Sequence, residues 1–87
     1  MILFTKPDCE KCHYITDKFD LGALGISQEV LTHEDAEALA TLAWYELVEV
    51  AEKEMPILVL EDSSHIAGAI KIKSYLSKKY GDQPAAN

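Results

Sequence analysis

Two cysteines three positions apart are the residues of this chain best suited to chemistry. Cys9 and Cys12 are the only cysteines among the 87 residues, and they follow a short apolar run at residues 1–4 and a loop that contains a proline. If a helix begins near Glu10, residues i and i+3 lie on one side of it, so the two sulfurs can close a disulfide with little rearrangement. The spacing therefore predicts reversible thiol–disulfide chemistry rather than two thiols that only fill a core.

The position of Cys9 at the start of this helix predicts which sulfur is the nucleophile. The first turn of a helix leaves backbone N–H groups without partners, and their partial positive charge favours a thiolate over a thiol. Cys9 gains most from this effect. We predict that Cys9 attacks a substrate disulfide and that Cys12, one turn further on and more buried, resolves the mixed disulfide.

Length and composition indicate one small globular domain. We place the domain at residues 1–81 and expect a flexible tail at residues 82–87, and the hydrophobic fraction of 48% is ordinary for a folded protein. We expect no signal peptide, because the residues before Lys6 have neither a basic n-region nor a full apolar h-region, and the sequence contains no apolar run of membrane-spanning length. Two cysteines in one local motif do not make a secreted disulfide framework, so we expect a cytoplasmic protein. We also expect a monomer.

The negative charge is concentrated in the middle of the chain. The net charge is −7, and residues 21–54 hold eight acidic residues against Lys53 alone. This distribution argues against nucleic acid or an anionic membrane as a partner. A basic protein surface fits better, although a solvated acidic helix face would produce the same pattern.

Hydrophobic periodicity predicts the order strand, helix, strand, helix, strand, strand, helix. The strands are expected at about residues 2–5, 26–31, 57–60 and 65–67. The helices are expected at about residues 10–20, from 34 to between 47 and 53, and 69–80. Two parallel strands joined by a crossover and followed by an antiparallel hairpin give an α/β fold, with a four-stranded mixed sheet flanked by three helices.

The second helix carries the longest apolar pattern. Its inward side is predicted from residues that recur at helical spacing, namely Ala36, Leu39, Ala40, Ala43, Leu47, Val50 and Ala51. Trp44 and Tyr45 are expected to pack in the core, because aromatic residues at helical spacing are more often core than site. A capping box beginning at Thr32 would start this helix.

The cysteine segment and its context resemble the thioredoxin superfamily. A C-x-x-C motif lies between the first strand and the first helix, and Pro56 comes directly before the third strand. The stretch from Phe4 through Cys12 is similar to the glutaredoxin active-site segment. The resemblance implies a thioredoxin-like, glutaredoxin-type fold of order β-α-β-α-β-β-α, with the strands arranged 2-1-3-4. It also implies a cis peptide bond between Met55 and Pro56.

The same resemblance implies a function. The chain would be a dithiol–disulfide oxidoreductase that reduces disulfides in protein substrates, with no cofactor and no metal. Cys9 and Cys12 would be catalytic, and the substrate-binding residues would be Lys6, Met55, Pro56 and Gly68. Thioredoxin reductase or glutathione would supply electrons, because the segment also resembles small redoxins that take electrons from thioredoxin reductase.

The two residues between the cysteines depart from the family pattern. Glutaredoxins usually place Pro-Tyr there and thioredoxins Gly-Pro, whereas this chain has Glu10-Lys11. The intervening residues tune the stability of the disulfide relative to the dithiol, so both a reducing and an oxidising role stay open.

Three other functions are compatible with the same residues. Cys9 through His13 also fits C-x-x-C-H, the attachment signature of c-type haem, with Met55 as a second axial ligand. A metal site could join the two cysteines with His13, His33 or His65, but structural zinc usually has a second close ligand pair, which is missing. A non-catalytic thiol redox sensor on the same fold is the third alternative.

Overall fold

The computed structural model describes residues 1–32 and 34–81 and contains a four-stranded mixed sheet with four helices. The strands are β1 (Ile2–Thr5), β2 (Ser27–Val30), β3 (Ile57–Val59) and β4 (His65–Ala67). The helices are α1 (Glu10–Lys18), α2 (Ala36–Trp44), α3 (Val48–Lys53) and α4 (Ala69–Tyr80). The predicted α/β class is confirmed, and every predicted strand is present at or within two residues of its expected bounds.

The sheet has the strand order β2-β1-β3-β4. β1 pairs in parallel with β2 and antiparallel with β3, and β3 pairs antiparallel with β4. The predicted parallel pair and antiparallel hairpin are therefore confirmed. Among the four strands, β1 and β3 are the central pair, so their side chains are covered on both faces.

Side chains alternate along the central strands and divide the interior into two cores. On one face Phe4 and Ile57 belong to what we call the first core, which α2 and α3 complete with Ala38, Leu42 and Ala51. On the other face Leu3 and Leu58 belong to the second core, to which α1 and α4 contribute the side chains Ile15, Phe19, Ala69, Ile72 and Leu76. Successive strand residues point to opposite faces, which explains why the uninterrupted apolar run of β3 is buried throughout.

The single second helix of the prediction is wrong, because the chain forms two helices there. α2 ends at Trp44, and α3 starts at Val48 after a turn in which Glu46 has a φ of 59°. In one continuous helix, Leu42 and Leu47 are five positions apart and would face directions about 140° apart. The turn resets the helical phase, and both leucines are buried in the first core.

The start and the inward side of α2 also differ from the prediction. Asp35 is the N-cap, and its carboxylate accepts a hydrogen bond from the N–H of Ala38 at 3.0 Å, so the helix begins later than the capping box at Thr32 predicts. Ala38 and Leu42 are buried, whereas four residues of the predicted stripe are exposed: Ala36, Leu39, Ala40 and Ala43. The stripe was wrong for these four residues because it assumed one helical phase from residue 36 to residue 51. It is confirmed for Leu47 and Ala51, which belong to the first core, and for Val50, which packs against it.

The two aromatic residues at the end of α2 have different environments. Trp44 is 81% exposed, so the expectation that it packs in the core is wrong. Tyr45 does pack against the first core, as predicted.

Two predictions concern residues outside the described part of the chain. They are the flexible tail at residues 82–87 and the metal-ligand role of His33. Within the described residues, no helix combines the length and the apolar character needed to cross a membrane.

Gly68 is a position where the backbone requires glycine. Its φ is 99°, a value that side chains with a Cβ rarely adopt, and an added Cβ would lie 2.5 Å from Oε1 of Glu54. Its N–H donates to the carbonyl of Pro56 at 2.9 Å, which ties the start of α4 to the start of β3. The requirement for glycine therefore arises from the backbone conformation between β4 and α4.

We therefore expect Gly68→Ala to lower the free energy of unfolding by about 2 kcal/mol, because an alanine at this φ is strained. Urea denaturation measures this change. Gly22→Ala is the matched control, since Gly22 has no positive φ and its added Cβ would make only an ordinary contact at 3.7 Å. Equal losses in the two variants would contradict the assignment of strain to Gly68.

Candidate functional site

Cys9 caps the helix that carries the second cysteine. Its backbone is extended, with φ −104° and ψ 110°, and its Sγ accepts a hydrogen bond from the N–H of Cys12 at 3.1 Å. The sulfur thus takes the place that a serine or aspartate oxygen usually occupies at an N-cap. Cys9 is half-buried, so its sulfur is both held by a backbone donor and partly accessible.

Cys12 lies one turn inside the helix and is buried, with 1% of its surface exposed. Burial raises the pKa of Cys12 to about 12, and a hydrogen bond between the two cysteine side chains and the negative charge of Cys9 act in the same direction. The backbone amide and the positive charge of Lys6 act in the opposite direction. The two cysteines therefore have different roles available to them, because Cys9 is half-buried whereas Cys12 is almost completely buried.

Lys6 contributes in a way that sequence did not predict. It was expected to contact the substrate, and its side chain does line a groove beside the cysteine loop. Its backbone amide also lowers the pKa of Cys12. The end of β1 is thereby connected to the buried sulfur.

The other three predicted substrate-binding residues form a connected unit near the start of β3. Met55 is buried in the first core, the same core that contains Cys12, with Cys9 packed against it. The peptide bond between Met55 and Pro56 is cis, as the resemblance implies, and Pro56 is fully buried. Pro56 accepts the hydrogen bond from Gly68 described above. Contact of these three residues with a substrate stays a prediction.

His13 is engaged with the loop before the cysteines. Its Nε2 donates a hydrogen bond to the carbonyl of Pro7 at 2.9 Å, which links α1 to that loop. In the described part of the chain, no group of three or more histidine, cysteine, aspartate or glutamate residues is arranged to hold a metal ion. His13 is therefore best described as a residue that braces the cysteine loop.

A groove of about 770 Å³ opens beside the cysteine loop, and we call it the α2–α3 groove. One wall is the loop that leads into Cys9, formed by Lys6, Pro7 and Asp8. The floor and the opposite wall come from the two residues after β2 and from the two helices, through Leu31, Thr32, Leu39, Leu42, Val48, Ala51 and Glu52. The groove is mostly apolar and has charged residues on its rim.

A second depression of about 580 Å³, the α4 cleft, also adjoins the cysteine segment, because Lys11 lines it. It is formed by residues of α1 and by the start of α4, with Glu54 between them, and its lining includes Lys11, Tyr14, Gly68, Ile70, Lys71 and Lys73. Three lysines against one glutamate make this cleft basic. The cysteine segment is thus flanked by two depressions of different charge.

Sequence reasoning missed the α2–α3 groove. Leu39 was assigned to the core and Val48 to no site, yet each is 44% exposed on the groove wall. The signal that could have found them is the five-residue step between Leu42 and Leu47, which does not fit one continuous helix.

Comparisons with protein-family models, curated proteins and solved structures gave no match for this chain. The resemblance of the cysteine segment to a known family therefore stays a prediction. Any function for the site rests on its own geometry and chemistry.

We expect iodoacetamide to modify Cys9 well before Cys12 in the folded, reduced protein, because the thiolate is the reactive form. With a pKa of about 12, roughly one Cys12 in ten thousand is ionised near pH 8. Labelling of Cys12 should therefore rise about tenfold for each pH unit above that, as long as the protein stays folded. Peptide mapping by mass spectrometry measures both rates.

The control is the same reaction in concentrated guanidinium chloride, where burial is lost and the two cysteines should be labelled at similar rates. Faster labelling of Cys12 in the folded protein would contradict the assignment of Cys9 as the accessible sulfur.

Proposed function

We propose that this protein is a thioredoxin-like dithiol–disulfide oxidoreductase that reduces disulfides in protein substrates through Cys9 and Cys12. The observation that carries the proposal is the arrangement of the two sulfurs. One is partly accessible and accepts a backbone N–H, and the other is buried one helical turn away. Exchange chemistry needs this division, since the attacking sulfur must reach the substrate and the resolving sulfur must be adjacent but sheltered.

The reaction has two exchange steps. The Cys9 thiolate attacks one sulfur of the substrate disulfide, forms a mixed disulfide and releases the other substrate sulfur as a thiolate. Cys12 then loses its proton and attacks the Cys9 sulfur, which forms the Cys9–Cys12 disulfide and releases the second substrate thiolate. The protein dithiol gives two electrons to the substrate, and the two substrate thiolates take up two protons.

The raised pKa of Cys12 explains why Cys9 attacks first and Cys12 attacks second. Burial keeps Cys12 protonated in the reduced protein, and the hydrogen bond and charge of Cys9 strengthen this effect. Once Cys9 is in a mixed disulfide it carries no charge, so its contribution to the raised pKa disappears. The contributions of Lys6, which lower the pKa, persist. Cys12 therefore becomes easier to ionise at the stage where it must attack.

The strand order supports a thioredoxin-like fold. The observed order β2-β1-β3-β4 is the one that the resemblance to the thioredoxin superfamily implies. The cysteine pair also lies where that resemblance requires it, at the junction of β1 and α1, with Cys9 as the N-cap and Cys12 in the first turn of α1. The strand order adds to the proposal because it concerns the backbone and is independent of the cysteine motif itself.

We expect the reduced protein, freed of small thiols, to reduce insulin disulfides in a single turnover and to lose two titratable thiols as it does so. Cys9→Ser should abolish the reaction. Cys12→Ser should stop at the mixed disulfide, which non-reducing electrophoresis detects, because the resolving sulfur is missing. Full activity of Cys9→Ser would contradict the proposed roles.

Repeated turnover identifies the electron donor. We expect either thioredoxin reductase with NADPH or glutathione to sustain insulin reduction, since the resemblance implies one of these two donors. If neither donor sustains turnover and the single turnover also fails, the results would favour the thiol redox sensor.

A further inference from the structure

We propose that the α2–α3 groove binds a segment of the protein substrate that carries an apolar side chain and a basic side chain next to its disulfide. This inference rests on the proposed function, because it assigns the substrate class for the reaction at Cys9. The groove would make the protein select among protein disulfides by the residues that flank them.

The groove lies beside the reactive sulfur. Asp8 forms part of its wall and directly precedes Cys9 in the chain. Its floor includes Leu31 and Leu42, which belong to the first core, and Cys9 packs against that same core. A peptide whose disulfide reaches Cys9 can therefore extend along this groove.

The groove walls leave apolar surface uncovered. Leu39 of α2 and Val48 of α3 are each 44% exposed, and they line the same groove over a floor of core side chains. Covering such surface with an apolar side chain of a substrate removes it from water, which favours binding. A volume of about 770 Å³ is large enough for several side chains.

The charge of the surrounding surface selects a basic occupant. Asp8 and Glu52 line the groove against Lys6. The wider segment that forms α2 and α3, residues 34–54, holds seven acidic residues and Lys53 as its one basic residue. An acidic peptide would be repelled, whereas a lysine or arginine of the substrate would gain a complementary partner at the rim.

The α4 cleft gives an internal comparison, because it also adjoins the cysteine segment but is basic. Ile70 there is 83% exposed, which makes it the apolar counterpart of Val48. A substrate that used this cleft would prefer acidic flanks and would lose contact when Ile70 is changed. The two depressions therefore predict opposite preferences.

The test uses the reduced protein in single turnover with four disulfides. Three are dimers of short cysteine peptides whose flanks are Leu and Lys, Leu and Glu, or Ser and Lys. The fourth is hydroxyethyl disulfide, which is too small to fill the groove. Each rate is divided by the rate of the same disulfide with dithiothreitol, which removes differences in intrinsic reactivity.

We expect the protein to react about fivefold or more faster with the Leu and Lys peptide than with either other peptide, and added salt should reduce this advantage. Glu52→Gln should slow the Leu and Lys peptide about two- to fivefold, and Val48→Ser should slow it about fivefold. Neither variant should change the rate with hydroxyethyl disulfide. Leu39→Ser provides a second test of the apolar wall.

Glu61→Gln and Ile70→Ser are the matched controls, since both residues are exposed and lie outside the groove. They should leave all four rates unchanged, and circular dichroism should show that every variant is folded. Equal normalised rates for the three peptides, or a loss in Ile70→Ser instead of Val48→Ser, would overturn the inference. Failure with all four disulfides, including the small one, would overturn the proposed function itself.

Discussion

The hydrogen bond from the Cys12 amide to the Cys9 sulfur is the interaction on which the whole site depends. An N-cap fixes which residue is the last one outside the helix and which residues lie inside its first turn. Here it makes Cys9 the cap and puts Cys12 one turn inside α1. The difference in exposure between the two sulfurs follows from this arrangement, and the proposed division into attacking and resolving roles follows from the exposure.

The burial of Cys12 depends in turn on how α1 sits against the sheet. Cys12 belongs to the first core, while Ile15 and Phe19 of the same chain segment belong to the second. α1 therefore lies where the two cores meet. A sulfur held in this position loses contact with water, which is the largest cause of its raised pKa.

The turn between α2 and α3 shapes the surroundings of the site. It allows Leu42 and Leu47 to enter the same core, and it leaves Leu39 and Val48 on the wall of a groove beside the cysteine loop. A continuous helix could not bury both leucines on one face. The same local break thus completes the core and creates the surface that we assign to the substrate.

Sequence alone determined the parts of this protein whose signals are local. The bounds of β1, β4 and α4 and the location of the cysteine pair at a strand-to-helix junction follow from apolar runs, glycines and spacing, which act over a few residues. Tertiary structure decided the rest. The break after Trp44, the exposure of that side chain, the contribution of α1 to both cores and the pKa of Cys12 depend on which distant residues pack together. Helical periodicity within one segment carries no information about those partners.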